Sequence, residues 1–155
     1  MQIILWVLFL GPLIAPLFQA TGLPLLTDSG ALARELLSRY VCPTPAKSYM
    51  LAGFPMAVCA RCWGATIGLW VGWLVFRRGA GGPAGARLSA YHARDWTARL
   101  GLSALPFWLW VAEIRWWPGA PYWVLLLNGG FAGLWAGLFF CSIWPGLARA
   151  QERAG

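Results

Sequence analysis

The hydrophobic positions run in four long blocks, separated by short stretches where charge, glycine and proline collect. Residues 2–20, 54–76, 98–117 and 122–145 are each close to the 20 or so apolar residues that a helix needs to cross a bilayer. The first block is expected to kink at Pro12 or Pro16, because a proline inside a helix removes a backbone donor. A cleaved leader is the rival reading of that block. No Lys or Arg precedes it, however, and Phe18 stands where a small residue would be required. The second block is apolar except for Arg61 and stops at Arg77 and Arg78. The third contains Pro106, with Glu113 and Arg115 near its end. Pro118-Gly-Ala-Pro121 makes a tight turn into the fourth.

The intervening segments read differently. Residues 21–27 form a turn, after which Asp28 is expected to cap a helix of about 29–40. Leu32, Leu36, Leu37, Tyr40 and Val41 share one face, and Arg34, Glu35, Ser38 and Arg39 the other, with Glu35 and Arg39 spaced as i,i+4 partners. This run is too short and too charged to span, and is predicted to lie flat in the interface. The prolines of Cys42-Pro-Thr-Pro break any helix. Residues 79–97, with His92, Arg94 and Asp95, read as a polar loop, and the chain ends in a short polar tail. The predicted fold is an all-α integral membrane protein in a single domain over 1–155, with four transmembrane helices and one short interfacial amphipathic helix.

Composition sharpens this picture. The chain is 59% hydrophobic and 11% charged, against about a quarter charged in soluble domains, so a soluble core of this size cannot hide its apolar surface. The net charge of +7 is scattered over short loops. No basic stripe exists for nucleic acid, and the charge reads as topology and lipid-surface attraction. Four spans put both termini and the 77–99 loop on one side, with Arg77, Arg78, Arg87, Arg94, Arg99, Arg149 and Arg153. Arg34, Arg39, Lys47, Arg61 and Arg115 fall on the other. The denser side is expected to be cytoplasmic. This sets the protein in a bacterial inner membrane with Cys42, Cys59 and Cys62 at the extracytoplasmic face.

Two patterns overlap at the start of the second span. Ala60, Gly64, Gly68 and Gly72 recur every four residues, and Gly129, Gly133, Gly137 and Cys141 repeat the spacing in the fourth span. Small residues so placed let helix backbones approach closely in lipid. The second and fourth spans, which run in the same direction, are therefore expected to pack together or to face a partner subunit, with Cys141 a small buried contact residue.

The other pattern is chemical. Cys59 and Cys62 lie three apart, on one face of a helix start whose positive end favours thiolates. Cys42 can fold back onto them. A structural disulfide, a redox-active pair with a third exchanging thiol, and a metal site are all open to this trio. Four-ligand metal binding would need completion from Asp28, Glu35 or Glu113, since His92 and Cys141 are expected near the opposite face. Arg61, a charge at membrane depth, requires a partner, and Glu113 is the candidate.

At these residues the chain resembles a family of small bacterial multi-pass membrane proteins of unknown function. Their signature is a Cys-His-Gln segment, then Arg-Ser-Phe, a Gly, and Cys-x-Arg-Cys-x-Gly entering a membrane helix. The matching residues are Cys42, Ser48, Gly53, Pro55, Cys59, Arg61, Cys62, Gly64 and Gly68. The departures are Pro43 for the His, Thr44 for the Gln, Lys47 for the Arg and Tyr49 for the aromatic. An Asp and an Arg of the later spans have no clear counterpart. If the family's Cys-His and Cys-x-x-Cys set binds metal or does redox work, the resemblance implies that this chain has lost a ligand and is kept for its scaffold.

The resulting expectation is a non-catalytic accessory subunit of a larger bacterial membrane complex, respiratory or photosynthetic, packing through its glycine ladders. Its partners would be other membrane subunits and lipids, and no nucleic acid. No cofactor is predicted outright. Trp70, Trp108, Trp110 and Trp135, inside spans, could meet a pigment, a quinone or a lipid. The alternatives are a thiol–disulfide redox protein, similar in layout to quinone-linked disulfide-forming membrane proteins, and a Cys-based metal-binding membrane protein.

Overall fold

In the computed structural model, which describes residues 2–42, 44–78 and 83–144, six α-helices carry most of the described residues. They are α1 (Gln2–Ala20), α2 (Pro24–Tyr40), α3 (Ala60–Arg78), α4 (Pro83–His92), α5 (Trp96–Trp116) and α6 (Tyr122–Ile143). Two of them, α1 and α6, are long and apolar enough to cross a membrane. Helices α3 and α5 have the length but carry more charge, through Arg61, Arg77 and Arg78 and through Arg99, Glu113 and Arg115. Pro43, residues 79–82 and the tail from 145 on, with Arg149 and Arg153, lie outside the described residues.

The centre of the molecule is the parallel pair α3 and α6. Gly64 sits against Leu126 and Gly130, Gly68 against Gly130 and Leu134, and Gly72 against Leu134, Gly137 and Leu138. From the other side Gly129 meets Arg61, Gly133 meets Ala65 and Gly137 meets Leu69. Nearly all of these neighbours are backbone atoms, carbonyl oxygens above all. A Cβ on Gly64, Gly68, Gly129 or Gly133 would collide with the facing carbonyl. In each glycine a Cα hydrogen takes that direction instead, and points at the oxygen. Four such Cα–H···O contacts are together worth on the order of 2–4 kcal/mol. Ala60 continues the seam in a buried cluster with Ala120 and Leu125, and Cys141 closes it at the far end against Leu5 and Trp73.

Helix α1 lies antiparallel along α3. Trp70 donates its Nε1–H to the Leu5 carbonyl at 3.0 Å, and Phe9 stacks on Trp63 at 5.8 Å. Pro16 has no N–H for the carbonyl four residues back, that of Pro12. The freed Pro12 oxygen accepts the Ala57 N–H at 3.3 Å. The proline thus docks the loop before α3 onto α1.

Three boundaries differ from the sequence reading. Helix α2 starts at Pro24, not after Asp28. Pro24 occupies the first helical position, where its missing N–H costs nothing, and Asp28 lies inside the helix. Gly30 also packs α2 onto Ala15, Phe18 and Gln19 of α1, so this helix is more than an interfacial element. Arg39 does not pair with Glu35; its guanidinium lies over the Tyr40 ring at 5.8 Å.

The second block is not helical from 54. Strands β1 (Met50–Leu51) and β2 (Phe54–Pro55) form a hairpin with Met50 opposite Pro55 and Leu51 opposite Phe54. Its turn, Ala52-Gly53, has φ of 53° and 84°, the left-handed pair of a two-residue hairpin. Met56 adds its N–H to the Tyr49 carbonyl at 2.8 Å. With this donor and the paired strand spent on the hairpin, the helix begins at Ala60. Finally, the segment read as a polar loop over 79–97 contains α4, and α5 begins at Trp96.

Candidate thiol site

The hairpin and the start of α3 bring three sulfurs together. The Sγ atoms of Cys42, Cys59 and Cys62 all lie within 4.8 Å of one another. Cys59 and Cys62 are 3.5 Å apart, one helical turn of separation at the N-terminus of α3. Cys42 arrives from the loop after α2 and accepts the Cys59 backbone N–H at 3.2 Å. Cys42 and Cys59 are buried, and Cys62 is partly open. All four cysteines of the chain are free thiols in the structure. The Cys59 sulfur first, and then burial, hold the Cys42 thiol above its ordinary range.

Beneath the sulfurs lies a charged pair. Arg61 is 1% exposed and forms a two-pronged bridge to Glu113 of α5, Nε to Oε2 at 2.5 Å and Nη2 to Oε1 at 2.7 Å. This fork geometry is the strongest arrangement available to a guanidinium and a carboxylate. The remaining Arg61 nitrogen, Nη1, donates to Thr44 Oγ1 at 2.8 Å. Asn128 of α6 reaches Glu113 Oε2 and the Leu109 carbonyl, both at 3.5 Å. Lys47 Nζ donates to the Pro118 carbonyl in the α5–α6 turn. Arg61 therefore joins α3, α5 and the Cys42 loop at one point, two residues from Cys59 and one from Cys62.

The structure separates the other candidates from this place. His92 packs on Phe76 with ring centroids 5.3 Å apart, near the opposite end of α3, roughly 24 Å along the helix from Ala60. Cys141 is in that same far region, against Trp73. Both carboxylate oxygens of Glu113 are taken by Arg61. Among the described residues, the cysteine trio is the one cluster of His, Cys, Asp or Glu that could hold a metal ion. Trp70 makes a protein contact through its N–H, whereas Trp108 is exposed on α5. Trp110 and Trp135 have buried indole nitrogens with no hydrogen-bond partner.

Sequence reasoning missed Thr44 and Asn128. Asn128 could have been found as the lone amide in an apolar span. Thr44 could not, because its role depends on how the loop folds back.

Two helices long and apolar enough to cross a membrane, a glycine-seamed helix pair and a sulfur cluster at one helix start describe a helical protein of the kind found in membranes. The sequence profile of one family, described as a predicted membrane protein (DUF2085), matches residues 42–141. The chain belongs to that family, and the matched stretch runs from the first cysteine of the trio to the cysteine that closes the α3–α6 seam. No curated protein and no solved structure matches the chain.

Proposed function

We propose that this chain is a four-span protein of the bacterial inner membrane that holds a thiophilic metal ion at its extracytoplasmic face. Cys42, Cys59 and Cys62 are the ligands. The observation that carries this reading is the convergence of three sulfurs within 4.8 Å. Thiolates around one zinc-like ion, at Zn–S of about 2.3 Å, stand about 3.8 Å apart, close to the 3.5 Å between Cys59 and Cys62. The Cys59 N–H already points at the Cys42 sulfur, and the positive N-terminal end of α3 faces the cluster, an arrangement suited to the negative charge of metal-bound sulfurs.

The four-span topology rests on how α3 and α5 handle their charge. Arg61 and Glu113 neutralise one another inside the protein, and the other arginines of both helices sit near their ends, where they reach the interface. With Arg61 matched, the contrast in free basic charge between the two sides grows. The side bearing Arg77, Arg78, Arg87, Arg94 and Arg99 is the cytoplasmic one.

The test is anaerobic titration of the purified, reduced protein with Cd(II) or Co(II). One ion per chain is expected, with a thiolate-to-metal charge-transfer band that each of Cys42→Ser, Cys59→Ser and Cys62→Ser removes. A protein that takes up no stoichiometric ion, and instead oxidises to a Cys59–Cys62 disulfide coupled to quinone reduction, would be the redox protein.

A second reading, a non-catalytic accessory subunit of a respiratory or photosynthetic complex, is favoured by a different feature. An apolar groove of about 350 Å³ runs along the outer side of the α3–α6 seam, lined by Gly64, Ile67, Gly68, Leu126, Gly130 and Phe131. Purification in mild detergent as a stable, lone chain would rule against it.

A further inference from the structure

We infer that the metal centre formed by Cys42, Cys59 and Cys62 is left one ligand short by the protein, and that its fourth coordination position takes an external thiolate. The inference rests on the reading of the trio as a metal site. Its own support is that, among the described residues, no fourth His, Cys, Asp or Glu joins the three sulfurs. Thiophilic d¹⁰ divalent ions complete a tetrahedron, and a structural site does so with four protein ligands. Among the described residues the cluster stops at three. His92 is beside Phe76 and Cys141 beside Trp73, both at the far end of α3. Glu113 has both oxygens on Arg61. Asp28 and Glu35, on α2, are not members of the cluster, and Asp95 precedes α5 at the same end as His92. Thr44, whose hydroxyl accepts from Arg61 Nη1, is neutral and a poor ligand for a soft ion.

The way in is set by burial. Cys42 and Cys59 are closed off at 6% and 0% exposed, and Cys62 is the sulfur that remains partly open. An incoming ligand therefore approaches past Cys62. The positive end of α3 favours an anionic donor there, and three thiolates already select a soft ion, which prefers a fourth sulfur. In the exchange the incoming thiol binds as thiolate and its proton goes to solvent. A metal-bound water leaves, and no electrons change hands. A centre of this kind hands its ion on or receives it by ligand exchange, where a closed four-cysteine site would only brace the fold.

The experiment uses the full chain in detergent, loaded with Co(II) under anaerobic conditions and titrated with 2-mercaptoethanol. The expected result is a saturable shift of the cobalt d–d bands to a four-sulfur pattern, with the cobalt still on the protein after gel filtration. Thr44→Cys supplies a tethered fourth sulfur, whose thiolate can still accept from Arg61 Nη1 and so keeps the loop anchored. It is expected to hold Co(II) at least about 100-fold more tightly, through the high effective concentration of an intramolecular ligand, and to show no response to added thiol. Wild-type protein that binds one Co(II) with bands unmoved by 2-mercaptoethanol would overturn the open position while leaving the metal site in place. Absence of any cobalt signal would instead sink the metal site, and the open position with it.

Discussion

Gly68→Leu is expected to prevent α3 and α6 from closing and to leave little folded protein in detergent. A Cβ at Gly68 would strike the carbonyl oxygen of Gly130 and lie 2.6 Å from the Leu134 nitrogen. Both are backbone atoms of a regular helix, so no rotamer change can clear them. The only relief is separation of the two helices along the seam, which also undoes the contacts at Gly64, Gly72, Gly129 and Gly133. Even Gly68→Ala is expected to cost about 3 kcal/mol, the upper end of what overpacking a tight contact costs. Leu should exceed that. The control is Gly101→Leu, on an exposed face of α5 where a side chain would meet nothing within 4 Å. Unfolding of the purified variants by denaturing detergent, followed by circular dichroism, checks both. If Gly68→Leu unfolds together with Gly101→Leu and wild type, the seam does not hold the molecule together.

That seam could be read from the chain because its cause is local. Glycines four apart mark a helix face whatever surrounds it, and two such faces on helices running the same way have few other places to go. The Arg61–Glu113 pair was legible for a similar reason. A guanidinium at membrane depth needs a carboxylate, and the third block offers one. Elsewhere the information is not local. The apolar run 54–59 has the composition of a helix, and only the pairing of Phe54 and Pro55 with Leu51 and Met50 makes a strand of its first two residues. Helix α4 hides in a segment rich in glycine and alanine, where composition argued for a loop. Gly30 gave no periodic signal, since its partner stripe is on another helix. Three cysteines could be seen to be able to meet, but their convergence depends on a hairpin turn at Ala52-Gly53 and on Pro12 accepting Ala57, neither of which hydrophobic patterning reports.

The largest loss expected at the thiol end comes from Glu113→Ala. It leaves Arg61, 1% exposed, with a buried positive charge and two donors without acceptors. Breaking a buried ion pair by removing one partner costs about 3–5 kcal/mol. The Asn128 amide loses one of its two acceptors at the same time, keeping the Leu109 carbonyl. Removing both charges together should be milder. Arg61→Met with Glu113→Leu fills similar volume with apolar atoms and leaves no charge unmatched, and such exchanges are often neutral or stabilising. The double variant is therefore expected to recover most of the stability lost in Glu113→Ala. It should not recover the geometry of the sulfurs, because a thioether in place of the guanidinium has no N–H for the Thr44 hydroxyl that holds the Cys42 loop. Detergent unfolding reads the first effect and Co(II) affinity the second. Recovery of both would mean that the pair serves only the fold. Recovery of stability with weakened metal binding would make Arg61 a positioning residue for the cysteine trio, set at the point where α3, α5 and the Cys42 loop meet. Its Nη1, the one nitrogen not committed to Glu113, then links the buried charge pair to the geometry of the three sulfurs.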